Sequence, residues 1–394
     1  MNTQSASYNL HTRLTGHAQL VLCLDVTRDG MLLASGGGDG TFIWDLEEMK
    51  MVQQITTFGT RGGTTSLLWI HQKDTLEDGL VYGTHNGYVV LCKQSDQGVE
   101  EIDIFQVAEP GEITSVAFDS SSSRLAVSSR NGIVQMVVIE PSKMHIIHNV
   151  WTRKIENCIP KTLAFDQRRD LLVFGMHDAV YCLDNGTGSY DLRRCKTHGM
   201  RVGHATCATD WYLVENIFDG STLHRLSDHA LLKAYNVPRR RQIAAPKQVV
   251  FGEDHQIVVN GSDHGVLYVF DLRTGAVLQK LDTETGNWVQ ALTTVQVNGV
   301  PFIIAGEARA GEGGSDIFIF KKTGLLERSV QCFLKRAKQT FYGGAVIGDC
   351  DNSLPKLGPD QDHFPSHFIS TPYITHVRGF FDEIIFETNL LAWI

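Results

Sequence analysis

The stretch LLASGGGDGTFIWD, residues 32–45, places the dipeptide Asp39-Gly40 between two apolar runs. Asp-Gly and Asn-Gly are strong hairpin signals, because a tight two-residue turn requires positive φ at both central positions. Similar dipeptides return along the chain at Asn86-Gly87, Asn131-Gly132, Asp178-Ala179, Asp219-Gly220 and His264-Gly265. Their second positions, 40, 87, 132, 179, 220 and 265, lie 41 to 47 residues apart. One hairpin-centred unit has therefore been repeated along the chain.

Each turn separates two strand-like runs, and two further runs flank them. In the first unit these runs are Leu22–Val26, Leu32–Ser35, Thr41–Asp45 and Lys50–Ile55. Four short strands per unit and a period of about 45 residues predict a β-propeller. Seven units are found, the seventh with a longer loop, Gly306–Ser315, in place of the tight turn. The predicted fold is all-β, a seven-bladed propeller of four-stranded antiparallel blades.

The seventh unit has no outer strand after Phe320, whereas an alternating segment, Ser7–Leu14, precedes the first unit. An open ring would expose sheet edges and apolar faces. We therefore expect Ser7–Leu14 to close the ring as the outer strand of blade seven. The propeller then covers residues 7–323, and residues 324–394 form a C-terminal extension, partly helical or irregular. Its last part, Val377–Ile394, has the pattern of a short amphipathic helix, which either packs on the propeller or binds a partner.

The first unit resembles the WD-repeat β-propellers, through Gly16-His17, Ser35, Asp39-Gly40 and Trp44-Asp45. The resemblance covers roughly residues 7–323, with degenerate motifs in the later units. In that family the corresponding side chains form a hydrogen-bonded network that locks a blade, which implies this role for His17, Ser35, Asp39 and Trp44. The spacing from Gly40 to Trp44 is one residue shorter than the usual family pattern.

Composition narrows the function classes. The net charge of -9 excludes a generally basic surface for direct nucleic-acid binding. No run reaches the ~18 apolar residues of a membrane span, and residues 1–10 lack the pattern of a signal peptide. The eight cysteines form no Cys-x-x-Cys pair, which is typical of buried thiols in a reducing compartment. We expect a cytoplasmic or nuclear protein.

One array has the composition of a zinc site: Cys195, His198, His204 and Cys207. A structural interpretation is favoured, because His204 belongs to a Gly-His pair that begins a blade and Cys207 falls in an apolar inner strand. We therefore expect no metal and no cofactor. No nucleophile–base arrangement stands out, so no catalytic residue is assigned. Arg239–Arg241 with Lys247 is interpreted as a solvated loop between blades.

A second group lies on turns and inter-blade connections, which share one face in a propeller. It comprises Arg61, His85, Arg130, Arg153, His177, His264 and Arg309. Such a ring could recruit an acidic or phosphorylated segment, although turns are commonly polar and Asp39 and Asp219 lie in the same ring.

The predicted function is a non-catalytic scaffold that presents propeller loops to a protein or peptide partner. One alternative is a propeller enzyme or metal-binding propeller with its site at the central channel. The residues that begin the inner strands, such as Thr64, Ile113, Thr162 and Val289, give no cluster for it. Another alternative is a subunit of a chromatin, ubiquitin-ligase or trafficking complex.

Overall fold

The computed structural model describes residues 6–56, 59–71, 78–95, 97–177, 179–190, 196–197, 201–241, 246–309 and 313–324. By its internal contacts the chain divides into one unit over Met1–Leu334 and another over Lys335–Ile394. The described residues all belong to the first unit. The predicted C-terminal extension beyond Gly324, with its candidate helix, lies outside the described residues.

The described residues form seven four-stranded antiparallel sheets, as predicted. Blades 1 and 2 contain β2 (Val21–Val26), β3 (Leu32–Gly37), β4 (Gly40–Asp45) and β5 (Lys50–Ile55), then β6 (Thr64–Ile70), β7 (Gly79–Thr84), β8 (Tyr88–Ser95) and β9 (Gly98–Gln106). Blades 3 and 4 contain β10 (Ile113–Asp119), β11 (Arg124–Ser129), β12 (Ile133–Glu140) and β13 (His145–Lys154), then β14 (Pro160–Phe165), β15 (Leu171–Gly175), β16 (Ala179–Leu183) and β17 (Lys196–Thr197). Blades 5 and 6 contain β18 (Val202–Cys207), β19 (Trp211–Asn216), β20 (Gly220–Arg225) and β21 (Leu231–Asn236), then β22 (Val249–Gly252), β23 (Ile257–Asn260), β24 (Val266–Asp271) and β25 (Val277–Asp282). Blade 7 contains β26 (Trp288–Val297), β27 (Val300–Ala308), β28 (Ser315–Thr323) and β1 (Ser7–His17).

The seven sheets are arranged in a closed ring. The first strand of each blade contacts the first strand of the next blade, and β26 of blade 7 contacts β2 of blade 1. Gly40 and Gly87 adopt positive φ, 112° and 81°, whereas Asp39 and Asn86 before them do not. The expectation of positive φ at both turn positions is therefore wrong, and only the glycine position requires it. The prediction of a propeller from the repeated turn is confirmed.

The core lies between the blades. Each sheet is covered on both faces, so its central strands are apolar without alternation, and Val89–Cys92 are entirely buried. One cluster joins Leu33 and Trp44 of blade 1 to Ile304 and Ile317 of blade 7. Large side chains from adjacent blades therefore fill the wedges between the sheets and hold the ring together.

The N-terminal strand closes blade 7, as predicted. β1 pairs with β28 in antiparallel register, from Ser7 opposite Thr323 to His17 opposite Ser315. Tyr8 also binds blade 6: its backbone N–H donates to Gln279 Oε1 at 2.9 Å, and its hydroxyl donates to Glu253 at 2.8 Å. The strand thus pairs within blade 7 and is hydrogen-bonded to blade 6.

The propeller has two faces. The inter-blade face carries the connections between blades and the turns between second and third strands. Backbone hydrogen bonds join these two kinds of loop, for example His85 N–H to Gly63 O at 2.9 Å. The opposite face carries the remaining loops, which are joined in the same way, as by Leu46 N–H to Met31 O at 2.9 Å.

Candidate interaction site

A chain of four side chains ties the turn of blade 1 to the strand that precedes the blade. Trp44 Nε1 donates to Ser35 Oγ at 2.8 Å. Ser35 Oγ lies 2.7 Å from His17 Nε2, and His17 Nδ1 lies 2.8 Å from Asp39 Oδ1. Asp39 Oδ2 also accepts the backbone N–H of Ala18 at 2.6 Å. These are the four side chains to which the resemblance assigns blade locking.

The direction of these hydrogen bonds follows from the carboxylate. Asp39 only accepts, so the hydrogen of the His17 ring lies on Nδ1, and Nε2 accepts from the Ser35 hydroxyl. Burial opposes ionisation of Asp39, but hydrogen bonds from His17 and Ala18 outweigh it and hold the pKa of Asp39 below its usual range. The hydrogen bonds of this chain therefore all run in one direction, toward the ionised carboxylate of Asp39.

The arginines and histidines of the predicted ring differ in their exposure and in their contacts. His85, His177 and Arg309 are exposed on turns of the inter-blade face. Arg61 and Arg130 lie on the same face, but each is bound to an acid: Arg61 to Glu101 at 2.7 Å and Arg130 to Glu112 at 2.9 Å.

Two members of the ring are placed differently from the prediction. Arg153 lies in the outer strand β13, and its guanidinium donates to the carbonyl of Thr187 in the next blade at 2.9 Å. His264 is buried. Its Nδ1 lies 2.7 Å from Asp263 Oδ1, and its Nε2 lies 3.0 Å from the Tyr268 hydroxyl. A turn dipeptide does not reveal whether its side chain points outward or into the blade.

Comparisons with known proteins agree with the geometry of blade 1. Residues 8–45 match the family model described as WD domain, G-beta repeat. This stretch is similar to a single WD repeat. Together with the seven-bladed ring, the match confirms the resemblance to WD-repeat propellers.

One relative is the WD repeat-containing protein 53 homolog of Dictyostelium discoideum, which is 27% identical over 138 residues. The match covers 34% of this chain and 36% of that protein, so it spans about a third of the relative's length. WD-repeat propellers generally act as protein-interaction scaffolds and are typically not enzymes. Within the described residues, the structure contains no helix long and apolar enough to cross a membrane.

The inner strands of six blades share a β-bulge at one position. The pairing register shifts at the start of six inner strands, and the residues passed over are Leu22, Thr65, Thr114, Lys161, Gly203 and Gln290. All six line one cavity of about 120 Å³ at the inter-blade end of the central channel. Bulges re-aim side chains, and here they direct the extra residue of each strand toward the axis. We call this cavity the channel mouth.

The channel mouth is charged, contrary to the expectation from Thr64, Ile113, Thr162 and Val289. Its lining includes Glu112, Lys161, His204 and Lys247. The bulges turn the neighbours of these strand-starting residues toward the axis, so the strand-starting residues alone do not predict the lining. The recurrent register shift arises from pairing between strands, so composition gives no sign of it.

A buried ion pair lies beside the channel mouth. Lys247 Nζ lies 3.0 Å from Glu215 Oε1, and both residues are less than a tenth exposed. Burial raises the pKa of Glu215 to about 7, against the opposing attraction of Lys247. Gly203 packs directly over the Glu215 carboxylate, leaving no room for a Cβ. Lys247 is therefore a core residue, which corrects its interpretation as part of a solvated loop.

The candidate zinc array is only partly described. Cys195 and His198 lie outside the described residues. His204 and Cys207 are three residues apart on β18, so their side chains point to opposite faces of the strand. Burial lowers the pKa of His204 to about 4 and raises that of Cys207 to about 12. These two residues do not converge on one metal position.

Another group of potential ligands lies on the opposite face, between blades 4 and 5. Ligand atoms of Asp166, Asp170 and Cys182 lie within 4.8 Å of one another, and Asp166 and Cys182 border a cavity of about 700 Å³. Asp166 Oδ1 accepts the backbone N–H of Asp170 at 2.8 Å, and the Cys182 thiol donates to Asp170 at 3.7 Å. These contacts give the group a structural role in closing the turn between β14 and β15.

Proposed function

We propose that this protein is a non-catalytic scaffold whose inter-blade face binds a protein or peptide partner. The observation that carries the proposal is the position of His85, Arg130, His177 and Arg309. These four exposed side chains come from four blades and lie on one face of an otherwise acidic protein. Each follows a second strand of its blade, so the rigid sheets hold them at fixed separations.

The chemistry of this face favours an acidic or phosphorylated segment as the partner. Arginine binds carboxylates and phosphates through paired, charge-assisted hydrogen bonds. The net charge of -9 repels such a segment elsewhere on the protein, so the cationic turns favour one orientation of approach. The WD repeat of blade 1 supports a role in protein binding.

The test is capture of partners from native cells by immobilised protein, quantified by mass spectrometry. The variant Arg130→Glu/Arg309→Glu reverses two charges on the inter-blade face. Partners bound at this face should fall by about tenfold or more, because like charges then oppose acidic groups.

The matched control is Arg225→Glu/Arg273→Glu, which makes the same charge change on the opposite face. Arg225 is an exposed arginine paired with Asp228 at 2.7 Å, much as Arg130 is paired with Glu112. Partners should be retained by this control. Undiminished capture by the Arg130→Glu/Arg309→Glu variant, or equal loss in both variants, would contradict the proposed face.

A further inference from the structure

The channel mouth holds more positive than negative charge. The charged groups that act on Lys161 are Glu112, Arg130 and Glu215. Arg130 is paired with Glu112, and Lys247 is paired with Glu215. Among the described residues of this region, Lys161 is therefore the cation that forms no close ion pair, because the two acids that act on it are each paired with another cation. One negative charge is missing from the cluster.

This unmatched charge is partly withdrawn from water. Burial is the largest influence on the pKa of Lys161, which it lowers. A desolvated charge without a partner costs stability, and proteins usually pair or neutralise such a group. The bulge in β14 nevertheless directs Lys161 into the channel mouth. An anion that enters from the inter-blade face would compensate this cost.

His204 supplies a second donor beside Lys161. The backbone N–H of Val249 donates to His204 Nδ1 at 3.4 Å. Because Nδ1 accepts, the hydrogen of the neutral ring lies on Nε2. The low pKa of His204, about 4, keeps the ring neutral at pH 7. His204 thus offers an N–H donor to the channel mouth without adding a second charge.

The size of the cavity limits what can enter. A volume of about 120 Å³ corresponds to about four water molecules at ~30 Å³ each. A carboxylate with one or two waters fits, whereas a folded segment does not. The cavity opens on the face to which we assign partner binding, so an acidic side chain of the partner can reach it.

We propose that the channel mouth accepts one carboxylate, from an aspartate or glutamate side chain of the partner, with Lys161 Nζ and His204 Nε2 as the donors. The source of the carboxylate rests on the proposed function, whereas the anion site itself does not. Its single unmatched charge selects a monovalent group.

The experiment uses the full chain and three probes: fluorescein-labelled hexaglutamate, the matching hexaglutamine peptide, and acetate. Fluorescence anisotropy at low salt should show binding of hexaglutamate and not of hexaglutamine. Lys161→Gln should weaken the binding of hexaglutamate by about tenfold, the scale of one charge-assisted hydrogen bond. The control Lys143→Gln removes an exposed lysine from the opposite face and should leave the affinity unchanged.

Thermal unfolding gives an independent readout. Without added anions, Lys161→Gln should melt higher than the wild type, because the substitution removes an unmatched charge. Acetate should raise the melting temperature of the wild type but not that of Lys161→Gln. A purely structural lysine would instead lower the melting temperature when replaced.

The outcomes separate the two proposals. Equal affinity of wild type and Lys161→Gln for hexaglutamate, with no acetate effect, would overturn the anion site and leave the proposed function standing. Acetate protection without any dependence of hexaglutamate binding on Lys161 would overturn the partner side chain as the source. Loss of hexaglutamate binding in Lys161→Gln, with undiminished capture by Arg130→Glu/Arg309→Glu, would support the anion site and contradict the proposed binding ring.

Discussion

Blades 1 and 6 tie their central turns to the preceding inter-blade segment through the same kind of hydrogen-bond chain, built from different residues. In blade 1 the chain runs from Trp44 through Ser35 and His17 to Asp39. In blade 6 the aromatic member is Tyr268, whose hydroxyl lies 3.0 Å from His264 Nε2, and His264 Nδ1 lies 2.7 Å from Asp263. Both chains end on an aspartate carboxylate.

The two hydrogen-bond chains differ in the sequence positions of the residues that form them. Phe270 lies opposite Val258 as Trp44 lies opposite Leu33, so phenylalanine occupies the tryptophan position in blade 6. Phenylalanine has no polar hydrogen, and the aromatic hydrogen-bonding group comes instead from Tyr268, two residues earlier. The histidine likewise follows the aspartate directly, whereas His17 precedes its whole blade.

The anchoring of the inter-blade segment is the common element. Asp39 accepts the backbone N–H of Ala18, and Asp263 accepts those of Arg240 and Arg241 at 2.9 and 2.7 Å. The aspartate satisfies backbone donors that would otherwise be unpaired, and the aromatic–histidine pair holds it in place. Different supporting residues can therefore serve the same carboxylate position.

Deletion of residues 1–14 should have the largest effect, because β1 leads directly into blade 1 and is hydrogen-bonded to blade 6. It would remove the outer strand of blade 7, the buried side chains Tyr8 and Leu14, and the hydrogen bonds of Tyr8 to blade 6. His17 and the chain in blade 1 remain. We expect a loss of about 5 kcal/mol or more in the free energy of unfolding, measured by chemical denaturation.

The control for this deletion is Tyr8→Phe, which removes only the hydrogen bond to Glu253. It should cost about 1 kcal/mol in the free energy of unfolding, because the ring keeps its packing. An unchanged melting temperature for the deletion would refute closure by β1.

Replacing each aspartate with alanine should show which of the two blades loses more stability without its carboxylate. Asp263→Ala leaves three donors without their acceptor, against two for Asp39→Ala. We expect losses of about 3 and about 2 kcal/mol in the free energy of unfolding. Asp219→Ala, in the matching turn of blade 5, is the control, because the side chain of Asp219 accepts an exposed bond from Asn216. If Asp39→Ala cost more than Asp263→Ala, counting donors would not explain the difference.

The pKa values of the same two aspartates predict that the stability of the protein depends on pH. Burial opposes ionisation of Asp39 and Asp263, but the hydrogen bonds they accept outweigh it, so both pKa values lie below the usual range. Their contribution to stability is therefore complete above the unfolded pKa, near ~4, and is lost as the pH falls through the folded values. The difference in unfolding free energy between wild type and either alanine variant should shrink in acid, as chemical denaturation at several pH values would measure.

Removal of the Tyr268 hydroxyl should give one of the smallest effects. Tyr268→Phe removes one hydrogen bond to His264, with an expected loss of about 1 kcal/mol. Ser35→Ala, the counterpart in blade 1, leaves both His17 Nε2 and Trp44 Nε1 unpaired and should cost about 2 kcal/mol. Urea titrations of the two variants would measure both losses, and a larger cost for Tyr268→Phe would contradict this ranking.

Much of the fold could be predicted from local sequence. The Asp-Gly and Asn-Gly turns, their period and the alternating segment Ser7–Leu14 predicted seven blades and their closure. The chain in blade 1 could also be anticipated, because its four residues carry a family pattern. The chain in blade 6 could not, since His264 next to Asp263 has the appearance of a polar turn residue.

The sequence by itself determined the number of blades, their strand order and the positions of the hairpin turns, because a turn dipeptide and an apolar run act within a few residues of each other. Only the tertiary structure decided which turn residues face solvent and which form hydrogen bonds inside a blade, and which inner-strand residues reach the axis. Arg130 meets Glu112, His264 meets Tyr268, and Lys161 enters the channel mouth through a β-bulge. These outcomes depend on the register between paired strands and on contacts between blades, neither of which a single unit of the repeat contains.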